Sequence, residues 1–339
     1  MEDIEPTEAV QMYIADKQPE LAQSTVYSHK SRLSHFTEWC AGDGSIKYLS
    51  ELDPIDCHRY KLWRRDEHDI NNVTLKTQLD TLRVFLRWAD RSLNAAKNDI
   101  SEAVLSPALN DGENERDVML DPEAAQAVLD HLEKYEYAST DHLTMLLLIR
   151  CIFRRGALRA IDLDDCKLDT DTPVIEVEHR PETETPLKNQ HDGERVVALK
   201  QETRDVVNDF IDTNRHDVTD DSGRDALITT AQGRAHAQTI QATAYANTRP
   251  CAVGQECPHG RDIEMCDAAQ NRQIAYECPS SVSPHAIRRG AITHWLQNDV
   301  PKHVVSDRSD VQVDTLEKHY DQRSERAKAE QRRRYLDNV

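Results

Sequence analysis

Through residues 1–105 the apolar positions recur every three or four residues, the spacing of one helix face. Thr7 is placed to cap a first helix through Met12 and Ile14, with Glu8 in its acidic first turn. Ser24 or Thr25 opens a longer helix with apolar positions at Tyr27, Leu33, Phe36 and Trp39, and Gly42 and Gly44 end it. Asp53-Pro54 starts a third, carrying Tyr60, Leu62 and Trp63. Asn72 or Thr74 opens a fourth, lined by Leu75, Leu79, Leu82, Phe85, Leu86 and Trp88. Such helices bury their apolar faces against one another, so residues 1–105 are expected to form an N-terminal helical bundle. Its aromatics read as core rather than as base-stacking groups.

The pattern stops at 106–117, where Pro, Gly, Asn and charged residues follow one another without period; this is the expected linker. Asp121-Pro122-Glu123 then caps a helix through Val128, Leu129 and Leu132. Residues 141–158 are the most apolar run in the chain and are expected to form one buried helix with Arg154 in its C-terminal part. A buried arginine is costly unless it meets an anion. Alternation at 174–179 and 194–199 reads as two strands, with a turn signal at Asp192-Gly193. Helices follow at 201–214 and 237–247, with a short apolar Ala226-Leu227-Ile228 between them. A charged helix at 324–336 carries Arg332, Arg333 and Arg334. The expected fold class is mainly α with a small antiparallel β-sheet (α+β) in a second domain, 118–339.

Composition changes this picture in one respect. The chain has 42 Lys+Arg against 61 Asp+Glu, a net charge of −19. Taken alone, that argues against nucleic acid, which wants positive charge. The acids are dispersed, as in 162–171 and 217–225, and form no tail, a distribution that fits adaptation to molar salt, where charge is screened. Local arginines therefore weigh more than the sum, and Arg64, Arg65, Arg83 and Arg87 are the candidate phosphate-facing group of the bundle. There is no apolar run of about 18 residues and no basic-then-apolar N-terminal segment. A cytoplasmic, nucleoid-associated location is expected.

The chemistry concentrates in Ser283-Pro284-His285-Ala286-Ile287-Arg288, followed by Lys318-His319-Tyr320. His285 and Arg288 are three apart and share a helix face, where an imidazole and a guanidinium reach one phosphate. A lone pair of this kind is most often a solvated helix face. Here it comes in order after Arg154-Arg155-Gly156-Ala157-Leu158 and after Lys188 ahead of a strand. That order and spacing resembles the tyrosine recombinase (phage integrase) family over about 120–335, above all the acidic recombinases of halophilic archaea and their viruses. The first domain resembles the family's core-binding domain only in size and helix pattern.

The resemblance implies a catalytic set of Arg154, Lys188, His285, Arg288 and the nucleophile Tyr320. Arg155 competes with Arg154 and Lys200 with Lys188; Tyr335 lies too far on. It also implies double-stranded DNA as partner, held in a C-shaped clamp of two domains. A homotetramer is implied in the synapse, and a monomer or dimer without DNA. Two positions depart from the family. Ile152-Phe153 stand where a Gly is usual before the first arginine. Val311 stands nine residues before Tyr320, where a His or Trp is usual, and valine has no proton to give. Either the site works without that group, or Arg308, His303 or His319 substitutes for it, with Arg308 preferred because it can donate to a phosphate oxygen, or the enzyme is impaired.

The implied reaction is coherent. A free tyrosine hydroxyl has a pKa of about 10 and must lose its proton as it attacks. His285 would take it, Arg154 and Arg288 would clamp the non-bridging oxygens, and Lys188 would protonate the leaving 5′ oxygen. A 3′-phosphotyrosyl ester keeps the bond energy, so neither ATP nor Mg²⁺ is needed for integration or excision. The alternatives are a catalytically weak, DNA-binding relative acting as a regulator, a type IB topoisomerase-like relaxation activity, and a zinc-stabilised transcription factor.

Of eight cysteines, Cys251, Cys257, Cys266 and Cys278 crowd one polar, turn-rich segment, an expected insertion at 251–278 that also holds His259. Dense soft thiolates in a reducing compartment point to a metal, zinc by default, held by four Cys or with His259 replacing one. An iron–sulfur cluster and free thiols are the other readings. Any such ion would be structural, stapling a loop before the His285 helix. Cys40, Cys57, Cys151 and Cys166 read as packing residues.

Overall fold

In the first part of the chain the helical period is realised as α1 (Pro6–Lys17), α2 (Gln23–Ala41), α3 (Pro54–Asp66) and α4 (Asn72–Leu93). The computed structural model describes residues 2–66, 69–97, 99–110, 118–320 and 333. It divides into two units, Met1–Arg116 and Asp117–Val339. The expected linker lies outside the described residues from 111 to 117, and so, apart from Arg333, does the charged helix expected at 324–336.

The first unit buries Tyr13 from α1, Leu33, Phe36 and Trp39 from α2, Tyr60 from α3, and Leu75, Leu79, Leu82, Phe85 and Leu86 from α4. The rings meet edge-on, Phe36 with Tyr60 at 5.4 Å and Tyr13 with Phe85 at 5.6 Å between centroids. Each buried ring contributes roughly 2–3 kcal/mol of transfer free energy. The aromatics are thus core. Tyr27 is the exception at 73% exposed; Val26 beside it is the buried residue of that turn. Helix starts also differ by a residue or more. Pro6 opens α1, so Thr7 lies inside it, and the Asn71 side chain accepts from Thr74 N–H to cap α4.

The second unit begins with α5 (Pro122–Tyr135), capped by Asp121 through Glu123 N–H, and α6 (Thr140–Arg150), capped by Ser139. The apolar run expected as one helix breaks after α6. Ile152 adopts φ +57, and α7 (Arg155–Ala160) resumes with Arg154 as its N-cap residue. Strands β1 (Cys166–Lys167), β2 (Val174–Val177) and β3 (Arg195–Ala198) form an antiparallel sheet in that order, with Ile175 opposite Val197. Ile175, Val177 and Val197 point into the core. Helix α8 (Gln201–Thr213) follows, then a minimal hairpin of β4 (Thr229–Thr230) and β5 (Gly233–Arg234) and helix α9 (Ala237–Asn247). Next come α10 (Asp267–Gln270), α11 (Pro284–Gln297), α12 (Lys302–Ser309) and α13 (Val313–His319).

Helix α6 is buried on every side, at Leu143, Met145, Leu147 and Leu148 among others, and packs against α5, α8, α9 and α11. Helix α11 is set by Ser283, whose hydroxyl accepts from Ala286 N–H, and by Pro284 in the first turn. It lies so close to the segment entering α5 that a β-carbon on Gly290 would stand 2.0 Å from the Leu120 carbonyl oxygen. No helix among the described residues is long and apolar enough to cross a membrane.

Candidate active site

Arg288 sits in the second turn of α11, 2% exposed, and its guanidinium donates to the carbonyls of Ile152 and Ser309. The kink at Ile152 is what turns that first carbonyl out of the α6 ladder. Burial pulls the Arg288 guanidinium well below its ordinary range, and the neighbouring charge of Arg154 adds to the effect. Arg154 comes to the same place from the start of α7. It donates to the Asp310 carboxylate and to the Asp310 carbonyl. Its neighbour Arg155 turns away and bonds the Gln241 side chain.

His285 stands one turn before Arg288 with its ring exposed. Loss of solvation against its neighbours holds its pKa below the ordinary imidazole value. The cations Arg289, Arg288, Lys188 and Arg154 press it down further. Lys188, exposed in the connection between β2 and β3, is therefore within electrostatic reach of the imidazole. Tyr320 closes α13, 7% exposed, and packs with Ile152, Ile292 and Leu316. The Arg289 guanidinium lies 5.8 Å from its ring centroid. Arg154, Lys188, His285, Arg288 and Tyr320 thus gather in one region of the second unit.

Val311 is buried against the same apolar cluster as Tyr320, so it packs there and presents no polar group. Arg308 is not turned to the site. It donates to the carbonyls of Ala198 and Arg150 and lies over the Trp295 ring at 4.9 Å. His303 is exposed on α12. The expected substitution by Arg308 is therefore corrected: its guanidinium ties α12 to β3 and α6.

Two participants were not legible in the sequence. Asp310, at the end of α12 with φ +52, takes the grip of Arg154 and accepts from Asn189 Nδ2 at 2.8 Å. Arg195 on β3 is largely buried over the Phe153 ring, donates to the carbonyls of Arg308 and Gly193, and leaves one Nη without a partner. Burial pulls it down to about 10. An arginine at the first position of a strand, and an acid that arrives by tertiary contact, carry no local signal.

In the first unit the candidate phosphate contacts separate. Arg64 is 4% exposed and spends its Nε on Gln78 at 2.9 Å, so its expected surface role is corrected. Arg83 bonds Asp80, the Val104 carbonyl and Ser106. Arg65 pairs with Asp66 and Arg87 with Glu102, both at the surface. All eight cysteines are free thiols. Cys251, Cys257, Cys266 and Cys278 line one small cavity with His259, but the expected metal centre is not preassembled. Among the described residues no three His, Cys, Asp or Glu side chains are arranged to hold an ion.

The phage integrase family matches residues 119–325, and the chain belongs to it. The fold agrees with that of the Tn1549 transposon integrase in complex with transposon right end DNA. The TM-score is 0.63 at 14% identity, over 96% of this chain and 98% of that one. A lambda integrase dimer bound to a COC' core site gives 0.59 at 12%, over 94% and 95%. The N-terminal domain of a phage integrase/site-specific recombinase from Haloarcula marismortui aligns at 29% identity with 32% of this chain and 100% of its own. Its TM-score of 0.30 is too low to bear on the fold. Among curated proteins none matches the chain.

Proposed function

We propose that the chain is a site-specific DNA recombinase that cuts and rejoins duplex DNA through Tyr320, in integration or excision. The observation that carries this reading is the Arg154–Asp310 ion pair, with the buried Arg288 close enough to feel both charges. Asp310 marks a seat that two guanidinium groups already electrify. A phosphodiester entering it takes over the Arg154 fork that Asp310 holds in the free protein. Arg154 and Arg288 then stabilise charge on the non-bridging oxygens as the phosphorus becomes five-coordinate.

The step is balanced. Tyr320 Oη forms a bond to phosphorus and the bond to the 5′ oxygen breaks. The tyrosine proton goes to His285, kept neutral by its crowded cationic setting, and Lys188 supplies a proton to the 5′ oxygen. The DNA-bound assembly is proposed to be a homotetramer, with the first unit contributing phosphate contacts through Arg65, Arg83 and Arg87. The net charge of −19 makes molar salt the proposed working medium.

The test is a covalent trap: the protein and nicked duplexes bearing candidate attachment sites, in molar KCl, examined for an SDS-stable adduct. Tyr320→Phe must abolish the adduct while the protein still binds DNA. The valine at position 311 favours a second reading, a DNA-binding relative without cleavage. Binding without adduct across sites and salts would establish that reading instead.

A further inference from the structure

The segment 249–282 is a closed excursion ahead of α11. Its ends are pinned together, with Val282 N–H donating to Thr248 Oγ1 at 2.9 Å. Inside it only Ala268, Ala275 and Val282 are buried apolar residues, while Met265 is 80% and Tyr276 56% exposed. An excursion of this length with so little apolar burial has little to offset the entropy of ordering it. Its four cysteines are free thiols, so no disulfide closes it.

What the segment does contain is convergent sulfur. Cys251, Cys257, Cys266 and Cys278 face one cavity of about 10 Å³, room for a single atom-sized occupant. Each opens the same kind of turn, its carbonyl accepting from the N–H three residues on. The donors are Gly254 at 3.2 Å, Gly260 at 3.1 Å, Ala269 at 2.8 Å and Ser281 at 3.0 Å. Gly254 and Gly260 have φ +76 and +63, which lets the chain reverse tightly beside Cys251 and Cys257. Such turns direct inner N–H groups at the sulfur. Arg249 and Arg261 line the same cavity, where four thiolates around a divalent ion leave two negative charges to offset. His259 is already engaged, its Nε2 within 2.8 Å of Ser280 Oγ.

We infer that this cavity is a structural zinc site with Cys251, Cys257, Cys266 and Cys278 as its four ligands. The four thiols line the cavity but are not arranged to hold an ion, so the set must draw together as the ion enters and four protons leave. Four thiolates and no open position make the site structural rather than catalytic. Its task is to hold 249–282 against α9 and so fix the entry to the helix bearing His285. The inference does not depend on the recombination reading.

The test uses the full chain, prepared without a metal-binding tag. Elemental analysis is expected to find one zinc per chain, and Co²⁺ exchanged for it is expected to give the absorption of a tetrahedral tetrathiolate. Cys266→Ser and Cys278→Ser are expected to retain less than a tenth of the zinc, and Cys166→Ser all of it. A chain that binds neither ion would overturn the inference. So would a cobalt spectrum with fewer than four thiolates, zinc unaffected by both serine variants, or iron–sulfur absorption. The cobalt titration needs only the unaltered chain, so it decides the matter even where a serine variant fails to fold.

Discussion

Arg154 holds Asp310 at two points, the carboxylate and the backbone carbonyl, and Asn189 steadies the second carboxylate oxygen at 2.8 Å. The acid neutralises cations that would otherwise crowd one another, since Arg154 depresses the guanidinium groups of both Arg195 and Arg288, and Arg195 depresses that of Arg288. Asp310→Asn removes that charge at constant size. A charge-assisted hydrogen bond contributes about 1.5–3 kcal/mol, so the variant is expected to lose roughly that much stability in dilute buffer. It is also expected to bind inorganic sulfate about tenfold more tightly than the parent. Thermal melting across a sulfate series measures both, and a melting shift that sulfate does not reverse would refute the shared seat.

The His285 imidazole is depressed from 6.5 by desolvation and then by four cations. The unfolded chain therefore binds a proton that the folded one refuses. Above the ordinary histidine range the group costs no stability; as pH falls from about 6.5 towards the lower folded value, stability declines. NMR titration of the His285 ring is expected to give a midpoint below that of an exposed histidine. Arg289→Ala should move it upward, and an unchanged midpoint would remove the electrostatic account.

Ile152 combines a fully buried β-branched side chain with a left-handed backbone. Such a residue stores about 1–2 kcal/mol of strain. Truncating a buried isoleucine costs about 2–5 kcal/mol. Both Ile152→Ala and Ile152→Gly are therefore expected to destabilise. Glycine, at home with positive φ, should be the milder by about 1 kcal/mol, reversing the usual order. Chemical denaturation of the two variants decides it.

The bundle arginines offer a contrast between burial and contact. Arg65→Ala is expected to lower the salt dependence of DNA binding by about one unit of log–log slope. Arg64→Ala should leave that slope alone and instead cost about 1–3 kcal/mol, because Gln78 is left buried without its donor. Equal slopes for both variants would show that neither meets phosphate.

Much of the fold is legible in the sequence alone. Helical periodicity marks α2, α3 and α4, and β-alternation finds β2 and β3, because in each case one face is buried and the other wet. His285 and Arg288 follow from a local motif. What escapes is decided over long range or by backbone torsion. The run 141–158 is apolar enough for one helix, and only the left-handed Ile152 breaks it. Asp310 meets Arg154 across more than a hundred and fifty residues of sequence. Arg64 looks like its neighbour Arg65 but falls on the inner face of α3. Strands as short as β1 and β4 carry too little alternation to be heard.

Gly290 leaves the Leu120 carbonyl no room for a β-carbon, and Leu120 N–H donates to the Ala286 carbonyl at 3.1 Å. Mechanically, the chain entering the second unit is stitched to the middle of the helix that bears His285 and Arg288. Tension applied at residue 120 reaches that helix directly, without first deforming the core. A lineage descending from this sequence could revise the helix's outer face widely, yet at this one position it would have a single letter to write.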